Sequence, residues 1–204
     1  REGATLMHQA VEGRLLRLWR EFPVVLISGA RQVGKTTLVD MLSDRLRLGQ
    51  RISFDHSGSR QRANEDPELF IEGARLPAFL DEAQKSPAVF DAIKQQVDRH
   101  RRPGRFLLSG SANFLLLKRV SESLAGRASR LFLRGISLRE RMSRVGDTPH
   151  LLECLKARTA HRVLDQCRAT ADQVRLSPRD LSQHLLEGRF PELVVRRRSE
   201  AFRL

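Results

Sequence analysis

GARQVGKTT, residues 29–37, is the stretch that decides the fold of this chain. It follows the apolar run VVLIS at residues 24–28, so the pattern G-x-x-x-x-G-K-[ST] lies between a predicted strand and a predicted helix. The two glycines allow the backbone to turn consecutive N–H groups inward around a phosphate. We therefore expect a phosphate-binding loop, called the phosphate loop below, made of Gly29, Ala30, Arg31, Gln32, Val33, Gly34, Lys35, Thr36 and Thr37.

Two side chains of the phosphate loop have a predicted chemistry of their own. Lys35 is expected to place a compact positive charge on the terminal phosphates, and the Thr36 hydroxyl is expected to ligate Mg²⁺. The helix that begins near Lys35 would point the positive end of its dipole at the anion. Arg31 is expected to point away from the phosphates. The sequence thus predicts that the chain binds a nucleoside triphosphate, or descends from one that did.

A second motif, Phe79-Leu80-Asp81-Glu82, closes a predicted strand at residues 76–82. Asp81 is expected to hold Mg²⁺ together with Thr36, directly or through a water molecule. Glu82 is expected to orient the water that attacks the γ-phosphate and to take up its proton. Since side chains alternate along a strand, both acids reach the site only if Glu82 lies at the exit of the strand.

Two serines lie at the end of the next predicted strand, residues 105–109: Ser109 is its last residue and Ser111 follows two residues later. Ligands of open α/β sheets bind beyond the carboxyl ends of the strands, so Ser109 or Ser111 is expected to face the γ-phosphate or the attacking water. The alternative is a plain turn into a helix, with Ser111 or Asn113 as the capping residue.

Arg127 has two interpretations that the residues leave open. It is a candidate cation for stabilising charge on the transferring phosphoryl group, within its own subunit or across to a neighbour in a homo-oligomer. It is equally a surface arginine before the last predicted strand. The catalytic candidates are therefore Lys35, Glu82, Ser109, Ser111 and Arg127, and the metal ligands are Thr36 and Asp81.

The rest of the chain predicts alternating helices and strands. An amphipathic helix is expected at residues 5–21, further strands at residues 51–55 and around residues 131–133, and helices beginning at Asp66-Pro67 and Ser86-Pro87. The predicted strands are continuous apolar runs, which indicates a parallel sheet covered on both faces. The fold class is therefore α/β.

Composition and charge restrict the classes of function. The chain has 204 residues, of which 40% are hydrophobic, and no apolar run approaches the ~20 residues of a membrane span. We expect a cytoplasmic protein without a membrane partner. The two cysteines and six histidines show no spacing typical of metal ligands.

The net charge of +13 is concentrated in the second half, where residues 101–204 hold 22 Lys/Arg against 10 Asp/Glu. Such an excess makes nucleic acid a candidate partner of this basic half. The alternative is a general preference for arginine on solvated helices, since only five of the 37 basic residues are lysines.

Together the motifs resemble a family of prokaryotic AAA-type ATPases whose phosphate loop typically reads GPRQVGKTTL. The similarity extends through EDPELF at residues 65–70, FLDEAQKSP at 79–87, RRPGRFLLSGSANFLLL at 101–117 and SESLAGR at 121–127. It is looser at LLEGRFPEL, residues 185–193. Ala30 replaces the usual proline, and the family's DEIQ reads DEAQ, which keeps both acids.

This resemblance implies an AAA-like P-loop NTPase of the additional-strand type, with a parallel five-stranded sheet between helices and with ATP and Mg²⁺ as ligands. It implies an ATPase domain at residues 1–145. Residues 146–204 would be a small helical segment that begins a truncated C-terminal domain.

Three functions are compatible with these residues. The first is Mg-ATP hydrolysis coupled to a conformational change in the C-terminal region. The second is a nucleotide-dependent switch that binds a partner such as DNA and turns over little. A small-molecule phosphotransferase is the third, and Glu82 disfavours it because an acid beside the Mg²⁺ ligand favours water as the nucleophile.

Overall fold

Helices and strands alternate along the chain, as the α/β prediction requires. The structure is a computed structural model that describes residues 9–111, 120, 122–135 and 182. In chain order its elements are α1 (Gln9–Glu21), β1 (Val24–Gly29), α2 (Lys35–Leu46), β2 (Gln50–Ser53), α3 (Ser57–Glu65), α4 (Pro67–Glu72), β3 (Ala78–Asp81), a short 3-10 helix (Ala83–Lys85), α5 (Val89–Arg99), β4 (Phe106–Ser111) and β5 (Ala128–Leu133).

The five strands form one parallel sheet in the order β2-β3-β4-β1-β5. β4 lies between β1, which leads into the phosphate loop, and β3, which ends in Asp81. This arrangement confirms the additional-strand type of sheet. Because all five strands run the same way, their carboxyl ends share one edge of the sheet, called the carboxyl edge below. Their amino ends form the opposite, amino edge.

Apolar side chains cover both faces of the sheet. All six residues of β1 are buried. Val24 and Leu26 pack into one cluster with residues of α5, and Val25 and Ile27 pack into the other with residues of α1 and α2. Burial on both faces explains why β1 is a continuous apolar run, and each such side chain contributes about 1.5–3 kcal/mol to stability.

Of the two predicted helix starts, one is confirmed and one is wrong. Asp66 caps α4, with its Oδ1 accepting from the Leu69 N–H at 2.9 Å, and Pro67 takes the first helical position. α5 begins at Val89, two residues after the predicted start, and has no side-chain cap. The Ser86 hydroxyl is engaged elsewhere, since it donates to Asn64 Oδ1 at 2.7 Å.

Several predicted boundaries change in the structure. β3 begins at Ala78 and ends at Asp81, because Glu82 turns the chain with a left-handed backbone, φ 55° and ψ 44°. β4 continues two residues further than predicted, to Ser111. Helix α3 was not predicted. Its sequence is polar, and Ala63 is the one residue that the structure describes as buried in this helix.

Several predictions concern residues outside the described ranges. They are the boundary between residues 145 and 146, the helical segment at 146–204, the LLEGRFPEL similarity and residues 5–8 of the first predicted helix. Among the helices that the structure describes, none has the length and apolar character to cross a membrane.

Candidate functional site

The phosphate loop connects β1 to α2 at the carboxyl edge. Gly34 is the residue before α2 and has φ 91°, a left-handed conformation in which a side chain would be strained. Gly29 is required for a different reason, because a Cβ at this position would lie 2.4 Å from the Leu133 carbonyl oxygen of β5. The two glycines therefore have separate roles, one in backbone conformation and one in the close approach of β5.

Burial divides the phosphate loop into an anchored part and an open part. Gly29, Val33 and Lys35 are buried, and Gly34 is half-buried. The exposed residues, which leave the loop accessible from solvent, are Ala30, Arg31, Gln32, Thr36 and Thr37.

Lys35 folds back across the loop. Its Nζ donates to the Ala30 carbonyl oxygen at 2.8 Å and to that of Gly29 at 3.3 Å, and the residue is 6% exposed. Burial lowers the pKa of Lys35, while the charges of Glu82 and Asp81 act in the opposite direction. The lysine and both acids of the second motif therefore face one another at the carboxyl edge.

Asp81 connects three elements of the site. Its Oδ2 accepts from the Thr36 hydroxyl at 3.4 Å, and its Oδ1 accepts from the Ser109 hydroxyl. The Ser109 oxygen in turn accepts from the Glu82 N–H at 3.2 Å. The carboxylate is thus held from β4 on one side and directed at the first turn of α2 on the other.

The pair of Thr36 and Asp81 fits Mg²⁺. Mg²⁺ binds oxygen ligands and usually takes one or two carboxylates together with phosphates and waters. The oxygens of Thr36 and Asp81 lie 3.4 Å apart, close to the roughly 3 Å between adjacent ligands of an octahedral Mg²⁺ ion. The described residues contain no cluster of three or more His, Cys, Asp or Glu side chains suited to a metal, so this pair is the candidate.

Glu82 lies at the exit of β3, as the sequence argument requires. Its left-handed backbone ends the strand directly after Asp81 and starts the 3-10 helix. For a residue with a side chain this conformation is uncommon and costs of order 1–3 kcal/mol, and such strain concentrates at functional sites. The turn allows two consecutive acids to lie at the same edge of the sheet.

The two candidate serines have different surroundings. Ser109 is fully buried and bonded to Asp81, so its hydroxyl supports the carboxylate. Ser111 ends β4, is half-buried and pairs in register with Gly29 of the phosphate loop. The sequence anticipated a serine at this edge but did not indicate that Ser109 would be used to hold Asp81.

Arg127 lies far from the phosphate loop of its own chain. Its carbonyl oxygen accepts from the Val24 N–H at the amino edge, 3.2 Å away, and β5 then runs six residues to the carboxyl edge, a distance of about 20 Å. Its guanidinium makes two bonds to Asp98, at 2.5 and 2.8 Å. The expectation that Arg127 acts within its own subunit is therefore wrong for this geometry, and a role across to a neighbour stays a prediction.

Arg31 is an exposed residue of the phosphate loop whose charge affects the pKa of two groups nearby. Its charge lowers the pKa of Lys35, after the larger effect of burial, and contributes to the lowered pKa of Asp55, whose main cause is a hydrogen bond from Lys85. The ion pair of Lys85 and Asp55 joins the 3-10 helix to the segment after β2. Arg31 is therefore close to that ion pair as well as to Lys35.

The chain matches known proteins by sequence. A family model described as an AAA domain matches residues 21–142. Proteins of Mycobacterium bovis and Mycobacterium tuberculosis, both described as uncharacterized, are each 37% identical to the chain over 135 residues. The match covers 66% of this chain but 30% of each relative, so the chain corresponds to less than a third of those proteins.

Two solved structures are similar to a lesser degree. AMPPCP-bound DnaA from Aquifex aeolicus has a TM-score of 0.49 and 13% identity, over 95% of this chain and 59% of that chain. PCH-2 from C. elegans has a TM-score of 0.37 and 19% identity, over 70% of this chain and 43% of that chain. Neither TM-score reaches 0.5, so the family assignment rests on the sequence match.

Proposed function

The chain belongs to the AAA domain family, and on that basis we propose that it binds Mg-ATP and hydrolyses the γ-phosphate. One observation carries the proposal: the Asp81 carboxylate contacts the Thr36 hydroxyl, and Glu82 turns out of β3 directly beside it. Hydrolysis needs a metal ligand pair next to a carboxylate that can take up a proton from water, and this arrangement supplies both.

Each residue of the site has one task in this mechanism. The backbone N–H groups of the phosphate loop and the Lys35 ammonium bind the phosphates. Thr36 and Asp81 would hold Mg²⁺, which would supply positive charge to offset that of the phosphates. Glu82 orients the attacking water and accepts its proton. Ser111, in register with Gly29, faces the γ-phosphate or the attacking water, and Ser109 fixes Asp81.

The choice of ATP over other nucleotides, and the coupling of hydrolysis to a conformational change after residue 145, follow from the family. The proposed setting is the cytoplasm, and in a homo-oligomer Arg127 is the candidate cation for a neighbour's nucleotide. Because the matched relatives are longer than this chain, the activity of the whole protein is part of the proposal.

The test compares Mg-ATP hydrolysis by the wild type, Lys35→Ala and Glu82→Gln. Lys35→Ala is expected to weaken ATP binding and abolish turnover, since the phosphates lose their only buried cation among the described residues. Glu82→Gln is expected to keep ATP binding and lose at least a hundredfold in turnover. Undiminished turnover in Glu82→Gln would contradict the assignment of the base.

The alternative is a nucleotide-dependent module that binds nucleic acid, and one feature of the amino edge favours it. The exposed residues His100, Arg101 and Arg102 precede β4, and Arg105 follows in the same loop. The bonds of Arg101 and Arg105 go to backbone carbonyls, those of Gly126 and His100. These guanidinium charges are therefore available to phosphates of a polyanion.

A binding experiment with duplex DNA distinguishes the two functions. If phosphate contacts at the amino edge carry the binding, affinity falls steeply with salt, and Arg101→Ala/Arg102→Ala weakens it while leaving basal ATPase activity unchanged. No binding to duplex DNA at low salt would remove the nucleic-acid alternative, and binding that persists unchanged in Arg101→Ala/Arg102→Ala would show that the amino edge is not the contact surface.

A further inference from the structure

Gln84 is a residue of the site to which the proposed mechanism assigns no task. Its Nε2 donates a hydrogen bond to Glu82 Oε2, between side chains two residues apart. Glu82 and Gln84 lie on either side of Ala83 in the tight turn that leaves β3, where the Lys85 N–H donates to the Glu82 carbonyl oxygen at 2.9 Å. The amide thus contacts the carboxylate that is proposed to activate water.

The other end of the Gln84 amide is unsatisfied. Within the part of the chain that the structure describes, Gln84 Oε1 is buried and has no hydrogen-bond partner. A buried acceptor without a partner costs about 1–3 kcal/mol. An unpaired buried acceptor calls for an explanation, and the bond that the other end of this amide makes to Glu82 supplies a functional one.

The element that carries Gln84 is anchored on both sides. Ala83 is fully buried, and Lys85 forms the ion pair with Asp55 beyond β2. The hydroxyl of Ser86, the next residue, donates to Asn64 of α3 at 2.7 Å. These contacts restrict the position of the 3-10 helix, so its amide can hold a partner side chain in one place.

While it is bonded to Gln84, Glu82 faces the phosphate-binding lysine. Burial lowers the pKa of Lys35, and among the charges that oppose this effect Glu82 acts more strongly than Asp81. The Glu82 carboxylate therefore lies near Lys35 while it is bonded to Gln84.

We propose that Gln84 is a positioning residue, which holds one oxygen of the Glu82 carboxylate and leaves the other to accept a hydrogen bond from the attacking water. The inference rests on the proposed function, because it takes Glu82 as the base. An amide suits this task, since it donates a hydrogen bond but does not compete for the proton that the carboxylate takes up. Without it, the carboxylate would sample several rotamers and the water would lose its fixed partner.

The main test is Gln84→Met in the full-length protein, because methionine has a similar length and lacks the amide. We expect kcat to fall about ten- to a hundredfold, with KM and the dissociation constant for ATP unchanged, because the amide acts on the base rather than on the nucleotide. The matched control is Gln61→Met on exposed α3, where Gln61 Nε2 donates to Glu65 Oε1 at 2.8 Å. This control should leave kcat unchanged.

A double-mutant cycle distinguishes positioning from a general loss of structure. In the Glu82→Gln background, Gln84→Met should cause no further loss of turnover, because the residue it acts through is already disabled. Equal additional losses in both backgrounds would overturn the inference.

Failure of the inference and failure of the proposed function give different results. If Glu82→Gln abolishes turnover and Gln84→Met keeps the wild-type kcat, only the role of Gln84 is wrong. If Glu82→Gln turns over normally, the proposed function and the inference fail together.

A readout without turnover is the affinity for ADP with aluminium fluoride, a mimic of the transferring phosphoryl group. Gln84→Met should weaken that affinity about tenfold and leave ADP affinity unchanged, and an equal effect on both would contradict positioning.

Discussion

The Ser109 hydroxyl on β4 donates to the Asp81 carboxylate on β3, and its oxygen accepts from the N–H of Glu82. One buried side chain thus contacts both acids of the site, through the side chain of the first and the backbone of the second. Removal of a group that orients a metal ligand in this way typically lowers metal affinity by about 10–100-fold.

Ser109→Ala should therefore raise the Mg²⁺ concentration needed for half-maximal ATPase activity by about tenfold. The reason is that Asp81 loses the bond that directs its other oxygen at Thr36. The measurement is a Mg²⁺ titration of ATPase activity. Ser43→Ala is the control, since the Ser43 hydroxyl bonds the Asp40 carbonyl on α2, outside the site. An unchanged Mg²⁺ requirement in Ser109→Ala would show that Asp81 is held well enough without the serine.

Ser111→Ala should behave differently from Ser109→Ala. Ser111 is in register with Gly29, and among the described residues the hydroxyls that bond the Asp81 carboxylate are those of Thr36 and Ser109. The Mg²⁺ requirement of Ser111→Ala should therefore stay constant while kcat falls at saturating Mg²⁺. Parallel titrations of the two variants check this. If Ser111→Ala shifts the Mg²⁺ requirement as much as Ser109→Ala does, the division of tasks between the two serines is wrong.

Gly29→Ala should destabilise the protein by about 1–3 kcal/mol, because the added Cβ overpacks a buried position. The new methyl group would lie 2.4 Å from the Leu133 carbonyl oxygen and 3.0 Å from Val33 Cγ1. Denaturant unfolding followed by the fluorescence of Trp19, the single tryptophan, measures the change.

Gly13→Ala is the control for that experiment, because it is expected to change stability in the opposite direction. Gly13 lies in α1 and has open space around its missing Cβ, so alanine should stabilise the protein by about 0.5–1 kcal/mol. A Gly29→Ala variant as stable as the wild type would mean that β5 moves away from the phosphate loop at little cost.

The ion pair of Asp98 and Arg127 predicts a pH dependence of stability. The hydrogen bond from Arg127 lowers the pKa of Asp98. A carboxylate with a lowered pKa in the folded state contributes stability above its unfolded pKa of about 3.9, and that contribution is lost as the pH falls through the folded pKa. Asp98→Asn should therefore unfold at a lower temperature than the wild type at pH 7, and the difference should vanish in strong acid. A difference that persists there would mean that the charge of Asp98 is not its cause.

Variants of the same ion pair distinguish the two interpretations of Arg127. If the arginine only supports the fold, Arg127→Ala and Asp98→Asn lower the melting temperature and leave ATPase activity per folded molecule unchanged. If it serves the nucleotide of a neighbour, Arg127→Ala abolishes turnover and Asp98→Asn does not. Activity measured over a range of protein concentrations completes the test, since a role between subunits requires assembly.

The sequence predicted the central strands well because they are buried on both faces. β1 is continuously apolar for that reason, and its position before the phosphate loop identified the carboxyl edge. The polar helix α3 was missed because a helix that buries little shows no amphipathic period. Ser86 was misread as a cap because its hydroxyl has a partner, Asn64, that is distant in sequence.

The sequence predicted those parts of the site whose geometry depends on neighbouring residues. It did not predict the parts whose geometry depends on the order of the strands in the sheet. The phosphate loop and the Asp81-Glu82 pair follow from neighbouring residues. The tasks of Ser109 and Ser111 depend on β4 lying between β3 and β1, which local sequence does not specify. Likewise, the distance of Arg127 from the phosphate loop depends on the register of β5 against β1.

The contact between Gly29 and Leu133 has a mechanical consequence. The first residue of the phosphate loop touches the last residue of β5 with no room for even one additional carbon atom. A rigid contact transmits displacement, so a shift of the loop by a fraction of an ångström on phosphate release must also displace the end of β5. Arg134 continues directly from that strand end, so the contact couples the state of the nucleotide to β5 as well as to the loop itself.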